Sequence, residues 1–465
     1  MQIGIMTGIY ADKTAQLRTA LPRNLVPVLK ESGLSKSYLG PADGIVAHGT
    51  GPGIGRGSMV WNGVCYSVMG SKLVRVDSDG SVTTLADVDS GGEVSLDVSF
   101  DRLAIASNQK LFYWDGTLSQ VTDPDLGVVV DMLWIAGYFM TTDGTSIVVT
   151  DIDNPYAVNP LRYGSSEADP DPIVALKRVR SEVVALNRYS IETFQNVGGD
   201  GFPFARIDGA QIQRGCVGTK ACAKFLESIA FLGSARNEAP AVWIAASGTA
   251  QKLSTREIDT ILQGYSEAQL AGVLLETRAD RGQQHLYLHL PDRTLVFDGA
   301  ASELIGDPVW FELATSVAGH AQYRARHFAW AYDRWLCDDP QSPAVGRLSN
   351  SVATHYGAAV GWDFGTAVLY NEGRGAIVHE LELVCLPGNV PLGAAPVIWT
   401  SYSSDGQVWS QERPVAAGKI GERDKRICWR KQGFIRNWRI QRFRGTSDAF
   451  LAVLRLEMRL EPLQA

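Results

Sequence analysis

The sequence predicts an all-β fold, and three observations carry that prediction: 47 glycines in 465 residues, short apolar strand pairs joined by polar turns, and the recurrence of those pairs at a nearly constant spacing. Glycine together with abundant Val, Thr, Tyr and Trp favours short strands and tight turns over long helices. A chain of this length has room for about two to four domains of ordinary size. Hydrophobic residues make up 45% and charged residues 20%, a balance that fits neither a disordered nor a membrane-spanning protein.

Residues 1–57 come first and read as an extended arm. Pro22, Pro27, Pro41 and Pro52 punctuate a polar stretch that needs a partner surface for order. From residue 58 a unit repeats, consisting of an apolar strand, a short turn, a second apolar strand and a polar tail. Its copies fall at 63–85, 101–122, 133–153, 182–198, 228–253 and 285–313, with a weaker seventh at 327–349. A spacing of roughly 35–55 residues is the period of four-stranded propeller blades. Each unit has half-buried sheets that only its neighbours can cover, so the units come as a ring. We therefore expect a β-propeller-like body over residues 58–350.

Two features interrupt the strands. In STREIDTILQGYSEAQLAG (254–272), Ser254 with Glu257 and Ser266 with Gln269 each form a capping box and predict two short helices. SSEADPDPI (165–173) is a loop, because Pro170 and Pro172 have no N–H to give a sheet. After residue 350 the strands lengthen and alternate, as in HELELVCL and FLAVLRLEMRLEPL. Residues 351–465 read as a separate β-sandwich-like domain.

The formal charge of −7 argues against a whole-chain nucleic-acid or membrane-surface binder. The first thirty residues lack a positive start followed by an apolar core, and no apolar run approaches about eighteen residues. We expect no membrane contact and no passage by the usual export route. The six cysteines are scattered without a C-x-x-C pair, so buried free thiols are expected and zinc is not.

Candidate chemistry dissolves on inspection. Cys216 sits in GFPFARIDGAQIQRGCVGTKA (201–221) with no histidine nearby along the chain, whereas a nucleophilic thiol needs a base. Gly201, Pro203, Gly209, Gly215 and Gly218 are read as bends, and Phe202, Phe204, Ile207 and Ile212 as filling between sheets. His285 and His289 share a strand face but lie about 13 Å apart at about 3.3 Å per residue. One metal cannot span them, and they are expected at a surface or interface. GTGPGIGRG (49–57) lacks the spacing and the ending of a phosphate loop. DSDG (77–80) and SSDGQVWS (403–410) depart from calcium-loop and Asp-box spacing, and read as hairpin turns in which Asp-Gly supplies positive φ. No catalytic, cofactor-binding or metal residue is expected.

One charge asymmetry stands out. Arg423, Lys425, Arg426, Arg430, Lys431, Arg436, Arg439, Arg442 and Arg444 interleave with Trp429, Phe434, Trp438 and Phe443. The pattern has the makings of a stacking and phosphate surface. Arginine is equally suited to carboxylates at protein interfaces, and in an acidic chain subunit contact is preferred to DNA contact. The candidate interface is Arg423, Arg426, Arg430, Lys431, Arg436, Trp438, Arg439, Arg442 and Arg444.

Several ordered motifs carry a family resemblance. SIETFQNVGGDGFPFARIDGAQIQRGCVGTKA (190–221), KLSTREIDTIL and GYSEAQLAGVLLET (252–277), HLYLHLPDRTLVFD (285–298) with Trp310 and Glu312, CWRKQGFIRNWRIQRFRG (428–445) and LPRNLVPVLKESGLSKSYLGPADGI (21–45) resemble the packaged-DNA stabilisation proteins of short-tailed, P22-like bacteriophages. Phe311 departs from the histidine frequent there, and residues 350–400 match weakly. The resemblance implies a structural virion protein, assembled in the bacterial cytoplasm, that forms a hexameric ring at the tail. It implies portal or adaptor proteins, a tail spike or fibre, and a plug or needle as partners. Packaged double-stranded DNA would be retained by the ring and ejected through its channel, and an acidic lining would let DNA slide. Two other readings stay open: a receptor-binding tail protein, or a propeller glycosidase or sialidase, which would need carboxylates about 5–9.5 Å apart at the hub.

Overall fold

The computed structural model describes residues 2–3, 21–29, 37–246, 248–366, 368–370, 374–405, 408–449 and 451–463. Gly406 of the second Asp-Gly turn, and most of the first twenty residues, lie outside that set.

Seven antiparallel sheets follow one another along the chain, and their first strands form a closed circle. Gly55–Trp61, Ser95–Val98, Asp131–Ile135, Ile173–Val179, Cys222–Phe225, Leu274–Asp280 and Arg326–Ala331 each pack on the next, and the last packs on the first. This is a seven-bladed β-propeller. Second strands such as Leu103–Ser107 and Tyr138–Thr142 are buried along their whole length because neighbouring blades cover both faces. Outermost strands such as Val82–Asp87 are largely exposed. Near-continuous apolar runs at the second strand are the signal that made the repeat legible in the sequence.

The seventh blade is completed from the far end of the chain. Its fourth strand is Gly44–Thr50, paired antiparallel with Ala344–Ser349, so the ring is fastened by hydrogen bonds between residues remote in sequence. The chain then runs straight into the inner strand of the first blade through GTGPGIGRG. That glycine-rich stretch is a seam. A Cβ on Gly49 would lie 2.3 Å from the Gly80 carbonyl oxygen, and one on Gly55 would lie 2.4 Å from the Asp338 side chain. At those two positions only glycine fits. Gly80 in turn has φ of 92° and closes the DSDG turn between Lys72–Val76 and Val82–Asp87, as the sequence predicts.

The second body is a sandwich of a seven-stranded and a five-stranded sheet. Its core holds Leu381, Leu383, Trp429, Phe364, Phe443 and Leu456. The long strands Ala376–Leu386 and Ala452–Pro462 pair along most of their length. The hairpin Leu25–Leu29 with Ser37–Pro41 joins the seven-stranded sheet beside them, through Leu39 opposite Val453. The described part of the expected arm is therefore no arm: it contributes strands to the sandwich, to blade seven and to blade one. An unpaired strand edge wants a partner, and the partner lies within the same chain.

Between the two bodies Arg23 bridges the outer strand of blade six, opposite Glu312, and the sandwich strand Gly361–Gly365, opposite Asp363. The buried Asn24 amide donates to the carbonyl oxygens of Ala314 and Gly361, both at 2.8 Å, and its side-chain oxygen accepts from Ala314 N–H at 2.9 Å. The Arg23 guanidinium pairs with Asp363 at 3.1 Å and donates to Gly319 O at 2.6 Å.

The helices fall where their caps predict, with one shift. Arg256–Leu262 is capped by Thr255, because the Ser254 hydroxyl is engaged with Asp259 at 2.6 Å and accepts from Val242 N–H. Glu267–Ala271 has the full Ser266–Gln269 capping box. A third helix, Gly299–Ile305, follows blade six's third strand without a gap and is capped by Asp298. Of the 165–173 segment, residues 166–172 form a loop between the strands Gly164–Ser165 and Ile173–Val179.

The seam generates a prediction. Gly49→Ala should lower stability by about 1–3 kcal/mol, the usual cost of overpacking. Gly201→Ala, with nothing within 4 Å of its Cβ position, should leave it within about 0.5 kcal/mol. Urea denaturation followed by tryptophan fluorescence reads both.

Candidate functional site

The centre of a propeller is where inner strands converge, and here the axis is filled by charged side chains. Asp131, on the inner strand of blade three, is fully buried. Lys177 from blade four reaches it at 3.0 Å, and Lys220 from blade five lies 4.0 Å away. Lys220 also donates to the Ser95 hydroxyl of blade two at 2.5 Å, and Ser95 donates in turn to Asp131. Leu176 N–H donates to the same carboxylate at 3.0 Å. Burial alone would raise the Asp131 carboxyl, yet Lys177 and Lys220 hold it below its ordinary value.

A second knot joins blades seven, one and two. His327 Nε2 meets Glu93 at 2.7 Å, and its Nδ1 lies 3.3 Å from Asp338. Asp338 accepts from the Ser58 hydroxyl at 2.8 Å and the Ser67 hydroxyl at 3.1 Å. Burial would lower the imidazole, but Glu93 and Asp338 outweigh it and push it up to about 10. Arg56, in the seam, clamps blades one and two by donating to the carbonyl oxygens of Gly70, Asp89 and Gly92 and to the Ser107 hydroxyl. His327 and Asp338 meet through the hairpin of blade seven, whereas Asp131, Lys177, Lys220 and Ser95, and Glu93 with His327, are brought together by the packing of different blades and could not be read from the sequence.

Cys216 lies at the wall between blades four and five, fully buried, with its thiol donating to Gly218 O at 3.2 Å and Ala221 O at 3.3 Å. Burial pushes that thiol well above its ordinary value, the opposite of activation. A Cβ on Gly215 would meet Asn187 O at 2.2 Å, and one on Gly218 would meet Ala271 O at 2.0 Å. Phe204 and Ile212 are buried between sheets. The histidines correct the sequence expectation, since both are buried and neither is at a surface. His289 Nε2 contacts Glu276 at 2.7 Å with Nδ1 against Thr294, and His285 faces Asp298 at 3.4 Å. Cross-strand register supplies those acids, and burial holds both rings below the ordinary imidazole value.

The basic cluster of residues 423–444 is divided by the sandwich. Arg439 is buried, donating to Gln441 and to Gln432 O and lying 3.8 Å from the Tyr402 ring centroid. Arg426 pairs with Glu382 and Glu380, Arg430 with Glu380, Arg442 with Asp363 and Arg444 with Glu412. Trp438 is half-buried. Arg423, Lys431 and Arg436 are exposed and have no acidic partner among the described residues. The cluster thus reduces to three free cations.

The His327 knot generates a pH prediction. Its folded pKa stands above the ordinary value near 6.5, so its stabilising contribution is complete below about pH 6.5 and is lost as pH rises towards 10. His327→Gln should cost about 3–5 kcal/mol at pH 6 by leaving two carboxylates unpaired. It should also flatten the alkaline fall in melting temperature between pH 6.5 and 10, which calorimetry measures.

Comparison with known proteins agrees with this architecture at both bodies. Residues 1–353 match the family model described as the β-propeller of bacteriophage P22 Gp10, and residues 361–461 match that of the Gp10 β-sandwich. The chain is 27% identical over 458 residues to the tail hub protein gp10 of Salmonella phage P22, covering 94% of each. The similar solved structures are more distant. The N-terminal domain of Nup159 is 7% identical, with 71% of this chain and 99% of that chain covered at a TM-score of 0.41. The Neurospora crassa Pan2 WD40 domain is 10% identical, with 66% and 95% covered at 0.41. Likenesses at those scores carry no argument. Matched over both its propeller and its sandwich, the chain belongs to the bacteriophage P22 Gp10 family of phage stabilisation proteins, structural components of the virion tail.

Proposed function

We propose that this chain works as one copy of a tail-hub ring that seals the head-to-tail channel, retains packaged DNA and forms the conduit for its ejection. The reading extends to a hexameric ring seated below portal or adaptor proteins, carrying a spike or fibre on its flank and a plug or needle at its lower end. The observation that carries it, beside family membership, is the filled axis. Lys177 and Lys220 converge on Asp131 there, so paired side chains from four blades occupy the centre of the propeller at that level. A conduit for DNA has to run between copies, with each propeller serving as a stiff wall segment. Residues 1–360 carry 29 Lys and Arg against 39 Asp and Glu. That excess supports a wall along which DNA slides without binding through counterion release.

The glycosidase reading has less support. Among the described hub carboxylates Asp131 is engaged by lysines, and Glu93 and Asp338 by His327. Asp97 accepts from the Trp134 N–H at 2.7 Å and the Val98 N–H at 2.8 Å. A glycosidase needs one such acid free to protonate a leaving group and another free to act as base or nucleophile.

Virions assembled without this chain provide the test. DNA-filled heads should form and then lose their genome, and adding back purified chain before leakage should protect the DNA from nuclease. Heads that keep a nuclease-resistant genome equally well without the chain would contradict the reading.

A further inference from the structure

Charge is distributed along this molecule in a way that the ring alone does not require. Residues 361–465 contain fourteen Lys and Arg against eleven Asp and Glu, whereas residues 95–206, which build blades two to four, contain eight against fifteen. The two regions are attached across the circle of blades from one another. The sandwich is fastened to blade six through Arg23 and to the turn of that blade through Asp43, which pairs with Arg278 and Arg281 at 2.8 Å each. In a circle of seven blades, the position across from blade six falls between blades two and three.

Each region presents a built patch. On the sandwich, residues 431–436 expose Lys431, Phe434 and Arg436, with Phe434 57% accessible. The loop is held from behind: Gln432 is buried, its carbonyl accepts from Arg439 at 2.6 Å, and Lys431 N–H donates to His379 O at 2.8 Å. An aromatic flanked by two cations on a rigid loop is the composition of an interface anchor. In a four-stranded antiparallel blade, the turn after the first strand and the connection after the third open on the same side. On that side of blades two to four stand Phe100, 90% exposed and edge-on to Trp134 at 5.6 Å, and Leu161, 84% exposed. Asp153 and Asp200 are exposed beside them and have no basic partner among the described residues. Arg162 braces this surface by pairing with Asp151 and donating to Asp200 O, both at 3.1 Å.

We propose that residues 431–436 of one copy dock on the acidic, apolar pole of blades two to four of the next copy. This rests on the ring reading above and supplies its contact. Two different, complementary patches across the circle from one another make a heterologous interface, the kind that closes into a ring when the rotation between copies permits. The apolar side chains give the contact its buried area. The charges set its register and on-rate, and make it sensitive to salt.

Charge reversal tests the pairing on the full-length chain. Lys431→Glu with Arg436→Glu, and separately Asp153→Lys with Asp200→Lys, should each lower self-association at least tenfold in sedimentation velocity. Each should also reduce the copies retained on phage heads lacking this protein. All four substitutions in one chain should recover association to within about threefold of the original, a rescue that misfolding could not produce. If the original chain assembles on heads and either reversal leaves assembly unchanged, the pairing is wrong and the ring stands. Two reversals that both abolish assembly without rescue in the fourfold variant also overturn the pairing. If the original chain is retained only as single copies, both the pairing and the ring fall.

Discussion

The backbone pairing between Gly44–Thr50 and Ala344–Ser349 is the constraint on which the rest of this molecule depends. A propeller is a sheet-on-sheet circle in which every blade is covered by two neighbours, and a single unfastened joint would expose two apolar sheet faces at once. Here the joint is made by the start of the chain. The same segment that fastens the ring has already bridged blade six to the sandwich at Arg23 and Asn24 and laid a hairpin into the sandwich sheet. Ring closure and domain attachment are thus made by one continuous segment of the chain.

A closed circle of seven inner strands leaves a narrow axis that has to be filled. Apolar side chains would fill it without directionality. This chain uses Asp131, Lys177, Lys220 and Ser95 at one place and Glu93, His327 and Asp338 at another. The first group draws on blades two, three, four and five, and the second joins His327 and Asp338 of blade seven to Glu93 from the connection between blades one and two. Buried ions are costly unless fully paired, so such a hub tolerates little rearrangement of one blade against the next. That intolerance makes for a stiff body, which is what the proposed role as a wall segment would require.

Much of this was legible in the sequence because it follows from local pattern. Second strands buried on both faces leave apolar runs, which reveal the repeat. The weak seventh repeat is weak for a physical reason, since its fourth strand is encoded before the first blade. The basic cluster was visible as composition, but its division into buried Arg439, paired Arg426, Arg430, Arg442 and Arg444, and free Arg423, Lys431 and Arg436 depends on which acids the sheets bring opposite. The glycine-rich 49–57 stretch reads in sequence as lacking phosphate-loop spacing, and its place as a seam becomes visible only when Gly80 and Asp338 are seen against it. His285 and His289, expected at a surface or interface, are buried because Asp298 and Glu276 reach them through strand register. The helix Gly299–Ile305 was missed because its cap, Asp298, is also the last residue of a strand.

Native-state amide hydrogen exchange tests the fastening strand most directly. The protected amides of residues 44–50 should open only with the whole protein, at the same free energy as those of the inner blade strands. Exchange from 44–50 at a markedly lower free energy, with the inner strands still protected, would mean that the ring holds without its fastening and would contradict the account.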